Sequence, residues 1–203
     1  MGRSIRSMEW HNPSKSFSRR DRKCSAMTLP DARIASGWKD ECDELFEKED
    51  FEGAVRCYDR VLEQFPRDPE IWTRKGLALS ELKRYDEAIK SYDTALVHYP
   101  RGTYVWISKG VALNKVGKQI EAIRCFDTAI DIDPQDTDAW CQKGVSFGLL
   151  KWFEEALECF ETAIRIDPRH AIAWHNKGIT LSKLKRENDA SYALDQAKKL
   201  GFS

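Results

Sequence analysis

Between residues 69 and 100, apolar side chains return at intervals of three and four. Ile71, Trp72, Leu79 and Leu82 share one helical face, and Tyr85, Ala88, Ile89, Tyr92 and Leu96 share a second. The polar pair Lys83-Arg84 separates them, so the spacing predicts two short helices joined by a turn. Pro100 ends the second helix, because proline lacks an N–H and disfavours a helical residue before it. Pro-Arg-Gly-Thr then leads into another helix, with Thr103 its expected N-cap.

The pattern recurs every 34 residues. Trp38, Trp72, Trp106, Trp140 and Trp174 form one column, and Gly76, Gly110, Gly144 and Gly178 a second. Ala54, Ala88, Ala122, Ala156 and Ala190 form a third. Tyr58, Tyr92, Phe126 and Phe160 form a fourth, with Leu194 in the fifth copy, and Pro66, Pro100, Pro134 and Pro168 close the first four units. Chance does not put five columns in register. One unit cannot bury such faces alone, whereas a stack buries them jointly.

The units read WTRKGLAL, WISKGVAL, WCQKGVSF and WHNKGITL, followed by DEAIKSY, IEAIRCF and EEALECF. This resembles the tetratricopeptide repeat (TPR) family, whose pattern is W-x2-L-G-x2-Y, then A-x3-F, then P. The resemblance implies an all-α fold, a right-handed α-solenoid of antiparallel helix pairs over residues 34–203. The repeats are 35–68, 69–102, 103–136, 137–170 and 171–203. Glycine inside a helix costs ~1 kcal/mol relative to alanine. In the family that glycine faces the small alanine of the partner helix, so the same close approach is expected here.

Three departures stand out. Where the family usually has leucine, Lys75, Lys109, Lys143 and Lys177 form a column. Its expected role is a long stem covering apolar surface with the ammonium in water, rather than a ligand ladder. Unit one has Glu41-Cys42 in place of Lys-Gly. Unit five has Glu187, Asn188 and Asp189 at the start of its second helix and no closing proline, so its last helix must cap itself.

Lys+Arg and Asp+Glu both number 33, giving zero net charge and arguing against a globally basic nucleic-acid binder. No charge-free stretch exceeds seven residues, so nothing in the sequence predicts a membrane span, and the first ten residues predict no secretory signal. Residues 1–33 lie outside the repeats and read as a disordered basic segment. Within residues 1–30, seven Lys and Arg face only Glu9 and Asp21, a net of +5. SRRDRK is a weak match to a nucleic-acid or import patch, and Met27 is an alternative start. A free, solvated tail is expected, rather than one that competes for the repeats.

The six cysteines are Cys24, Cys42, Cys57, Cys125, Cys141 and Cys159. No CxxC or HxxxH spacing predicts zinc, and no motif predicts a cofactor. Reduced thiols and a cytoplasmic location are expected, with Cys57, Cys125 and Cys159 sharing one packing slot. Catalysis is not expected. Cys141 and His175, the best nucleophile–base pair, fall on neighbouring helices ~10 Å apart, beyond the ~3 Å that such a pair needs.

In the family the first helices line a concave groove that takes peptides or partner helices through repeat positions 2, 5, 6, 9, 12 and 13. Carried over, the resemblance selects Arg74, Leu77, Tyr104, Ser108, Asn114, Gln142, Val145, His175 and Asn176 as groove residues. A chaperone's terminal carboxylate is disfavoured. Of the clamp positions Lys39, Asp43, Arg74, Tyr104 and Ser108, only Lys39 matches, and registers starting at units two and three match nowhere. Groove positions of units one and two carry Asp40, Asp43, Glu47, Glu70 and Glu81 against Lys39 and Arg74, so that end suits a basic partner. The expected function is a non-catalytic interaction scaffold. Self-assembly through a solenoid end and nucleic-acid contact through the tail are the alternatives.

Overall fold

The computed structural model describes residues 40–202. Expectations for residues 1–33, for Cys24, Trp38 and Lys39, and for the Met27 start lie outside that range. The described chain is helical with no strand. Residues 40–47 form α1, followed by α2 (Phe51–Gln64), α3 (Pro69–Glu81), α4 (Tyr85–His98), α5 (Thr103–Lys115), α6 (Gln119–Ile132), α7 (Thr137–Leu149), α8 (Phe153–Ile166), α9 (Ala171–Lys183) and α10 (Glu187–Lys199). Helices pair as α3 with α4, α5 with α6, α7 with α8 and α9 with α10, and each second helix also packs on the first helix of the next unit. The first helices touch one another across units: α3 meets α5, α5 meets α7, and α7 meets α9. They therefore form one layer and the second helices the other, an all-α solenoid.

The turn inside each unit has one geometry. Glu49, Lys83, Lys151 and Lys185 adopt φ of 60–63°, and Gly117 takes 82° in the same slot. The amide of each accepts the C′ role of a Schellman cap: Lys83 N donates to Ser80 O, and Arg84 N to Leu79 O. The end of α10 repeats the motif. Gly201 has φ 92°, and Phe202 N donates to Ala197 O at 3.0 Å, so that helix does cap itself.

Second helices stop at Gln64, His98, Ile132 and Ile166, two residues before the proline. The intervening residue is extended or bridging because proline forbids the helical region there. Asp68, Asp136 and the His170 ring then cap α3, α7 and α9 by accepting from backbone N–H groups. Thr103 does not cap α5. The corresponding residue is Gly102, which makes no side-chain cap bond, and Thr103 is already the first helical residue. The chain enters the helix one residue earlier than the hydroxyl suggests.

The alanine column is closed to solvent, with Ala54, Ala88, Ala122 and Ala156 at 0% exposure. What lies nearest to the glycine column is the aromatic column. A Cβ on Gly76, Gly110 or Gly144 would fall 2.5–2.7 Å from the ring of Tyr92, Phe126 or Phe160, and on Gly178 it would meet Leu194 at 2.7 Å. Glycine is required because the bulky side chain of the partner helix presses on the helix backbone, and at Gly178 the Ala190 carbonyl also comes within 3.2 Å of the Cβ position.

Unit one corrects the thiol expectation. Cys42 stands in the glycine slot and is disulfide-bonded to Cys57, with Cα atoms 5.4 Å apart. In units three and four the residues opposite Cys125 and Cys159 are Gly110 and Gly144, which have no side chain to join, so those cysteines remain buried thiols, as does Cys141. Only unit one carries cysteine in both facing slots.

Candidate functional site

Two ladders tie each unit to the one before. The indole N–H of Trp72, Trp106, Trp140 and Trp174 donates to the carbonyl of Pro66, Pro100, Pro134 and Pro168 at 2.8–3.1 Å. The lysine column forms the second. Lys75, Lys109, Lys143 and Lys177 reach back to Asp59, Asp93, Asp127 and Glu161 at 2.5–2.9 Å, and each ammonium lies 5.1–5.6 Å from the centre of its own unit's Trp ring. The ammonium groups are thus paired rather than left in water. The acidic column has the same period as the lysines, which was the available signal for the pairing.

These ladders use up the lysine column and leave the layer of first helices as the candidate site. At its α1–α3 end, Arg74 is held by Asp43 at 2.9 Å and Glu70 at 3.2 Å, and only 11% of its side chain is exposed. Tyr58 donates to Asp43 as well, at 2.6 Å. Leu77 is buried in the core rather than presented on the face. Tyr104 is half-buried with its hydroxyl enclosed, and burial pushes its ionisation up to about 12. Ser108 beside it is buried. Glu81 is exposed at the end of α3, and partial desolvation together with Glu49 raises its carboxyl above the usual range.

Further along, Asn114 Nδ2 donates to Ser146 Oγ at 2.8 Å, and Ser146 donates to Gln142 O at 3.1 Å. Asn114 is therefore a cross-unit tie between α5 and α7. Gln142 and Val145, at groove positions of α7, are both half-buried. His175 stacks on Phe202, ring centres 4.0 Å apart, and desolvation lowers its pKa. Asn176 Nδ2 lies 3.9 Å from Cys141 Sγ, so the partner of that thiol is an amide and not His175. Burial raises Cys141 to about 12 and Cys125 and Cys159 to about 11, which keeps all three protonated and poor nucleophiles. No group of three or more His, Cys, Asp or Glu among the described residues is arranged to hold a metal ion. No described helix is long and apolar enough to cross a membrane.

The predicted groove residues thus divide. Arg74, Leu77, Ser108 and Asn114 are committed to contacts inside the chain, while Gln142, Val145 and His175 keep part of their surface on the face of α7 and α9. Sequence reasoning left out of its selection Leu149 and Ile179, which are 54% and 44% exposed on that face. Their repeat positions were groove positions, but burial was the signal needed to rank them.

No curated protein sequence matches the chain significantly. Similar solved structures include a crystal structure of MamA, at 23% identity and TM-score 0.71, covering 78% of this chain and 93% of that one. MamA 41-end from Desulfovibrio magneticus RS-1 aligns at 20% identity and TM-score 0.74, over 82% of this chain and 94% of that one. YrrB, described as a TPR protein with an unusual peptide-binding site, aligns at 24% identity and TM-score 0.64, over 81% and 84% of the two chains. At such identities the likeness speaks for the fold. Tetratricopeptide repeat family models match residues 40–104 and 74–137, then 137–170, then 159–190. With the 34-residue columns and the paired helices they describe, these matches make the chain a member of the tetratricopeptide repeat family.

Proposed function

We propose that the chain is a non-catalytic scaffold that holds a peptide or partner segment along the layer of α1, α3, α5, α7 and α9. The observation that carries this reading is the run of first helices α5, α7 and α9 that touch one another in one layer. The repeated ties to the preceding unit consume the lysine column of that layer. The first-helix layer keeps exposed apolar side chains, Leu149 and Ile179, beside the Gln142 amide, a group that bonds a peptide backbone whatever its sequence. YrrB, of the same fold, is described as having a peptide-binding site. The α1–α3 end suits a basic stretch of the partner, since Asp40, Glu47 and Glu81 are exposed acids at groove positions there. The thiols are protonated and no histidine reaches Cys141, which supports a binding rather than a chemical role.

The test is selection of a phage-displayed random dodecapeptide library on the full chain, followed by titration of recovered peptides against Val111→Glu and Val145→Glu. Loss of binding in both variants, with unchanged helicity, supports the reading. Peptides that bind all face variants like the parent would overturn it.

A second reading, association through the α10 end, draws on Tyr192, which is 60% exposed there. Leu194 is spent inside unit five against Gly178, so Tyr192→Ser is the informative variant. Light scattering that shows one mass at all concentrations would remove this reading.

A further inference from the structure

We propose that the α5–α7–α9 part of this face binds an extended segment in which one apolar residue is flanked on both sides by acidic residues. This rests on the scaffold reading above and names the ligand chemistry for half of the layer.

Repeat position 13 supplies the argument. Along the solenoid it runs Glu47, Glu81, Lys115, Leu149 and Lys183, so its charge reverses between units two and three. Lys115 and Lys183 are exposed and have no ion pair among the described residues, unlike the lysines of the ladder. Leu149 stands between them at the same height on α7, exposed and outside every core cluster, as is Ile179 on α9. One residue before Leu149, a Cβ added to Gly148 would meet nothing within 4 Å. Half-buried Val145 and Val111 hold groove positions of α7 and α5 in the same layer. The only acid at a groove position of α5, α7 and α9 is Asp138, at the opposite end of α7, 3.3 Å from His170 Nε2. An apolar anchor therefore fits the Gly148 slot beside Leu149, and carboxylates fit the two lysines.

Spacing narrows the ligand. Neighbouring helices sit ~8–10 Å apart, so Lys115 and Lys183, two helices apart, are separated by ~20 Å. An extended chain covers that in about six residues. The motif is an acidic residue about three positions before the anchor and another about three positions after it. A ligand that continues towards α3 and α1 must turn basic, because Glu81 and Glu47 hold position 13 there. The charge reversal thus fixes the direction in which a segment lies.

The same dodecapeptide selection tests this at low salt. Recovered peptides are expected to share an apolar residue with Asp or Glu on either side. The Lys115→Glu/Lys183→Glu variant should weaken them by about tenfold or more and, on fresh selection, return basic flanks. Gly148→Phe should weaken them to a similar degree by filling the slot, with an unchanged circular dichroism spectrum. Peptides that respond to Val111→Glu but carry basic residues and ignore the lysine reversal overturn this inference and leave the scaffold reading standing. Peptides indifferent to every substitution on the face, or none recovered, overturn both. Lysine-dependent binding of single-stranded DNA with no peptide selected also overturns it.

Discussion

Lys143 Nζ lies 2.6 Å from Asp127 Oδ1 of the preceding unit and 5.3 Å from the centre of the Trp140 ring of its own. The lysine side chain is 19% exposed and the aspartate side chain 46%, so solvent screens the pair and its worth is modest. A double-mutant cycle with Lys143→Met and Asp127→Ala should give a coupling energy of ~0.3–1 kcal/mol. Coupling above that range would make the ladder a principal source of stability rather than a register mark.

Two glycines four residues apart on α7 should respond with opposite signs. Gly144→Ala places a methyl 2.7 Å from Phe160 and should lose ~1–3 kcal/mol from overpacking. Gly148→Ala meets nothing and should gain up to ~1 kcal/mol from helix propensity. Urea melts of both variants check this. Equal shifts would mean the ring of Phe160 moves aside freely.

Lys83, Lys151 and Lys185 hold the left-handed turn position that Gly117 fills in unit three. Each lysine there bears a strain of ~1–2 kcal/mol that glycine avoids, partly offset by glycine's greater entropy loss. Lys83→Gly, Lys151→Gly and Lys185→Gly should each raise stability by ~0.5–1 kcal/mol. Gly117→Lys should lower it by a similar amount, read from the same melts.

Thiol counting separates unit one from the others. Without reductant, Cys125, Cys141 and Cys159 should react with a thiol reagent only after unfolding. In the folded chain burial holds them at about 11 to 12, so alkylation at pH 8 should be slow. Cys42 and Cys57 should react only after reduction as well. Reaction of both on unfolding alone would restore the expectation of a fully reduced chain.

The repeat and the helix pairs were legible because periodicity is a property of the sequence itself. The columns Trp72, Ala88, Tyr92 and Pro100 give helix, partner and stop without coordinates. Partners across the units were not legible. Gly76 looked matched to an alanine, yet a Tyr92 ring covers it, because ring placement depends on how far one helix is rotated against the other. Cys42 read as a departure in the glycine column and Cys57 as a member of a packing column, until both were seen to face each other inside one unit. For the site, the helices were legible and the available surface was not. Arg74 is spent on Asp43 and Glu70, and Leu77 is spent on the core, while Leu149 is free. Which groove residue keeps its surface is decided by neighbours on the adjacent first helix as well as on its own.

The Trp–proline bonds reach back one unit and no further. Cohesion is therefore of nearest-neighbour type, and loss of order spreads like a zipper from an end instead of appearing everywhere at once. Opening α9 and α10 would release the Trp174 indole from Pro168 while leaving the Trp72 to Trp140 bonds intact. Hydrogen exchange should consequently grade along the chain, with amides of α9 and α10 exchanging ahead of those in α5 and α6.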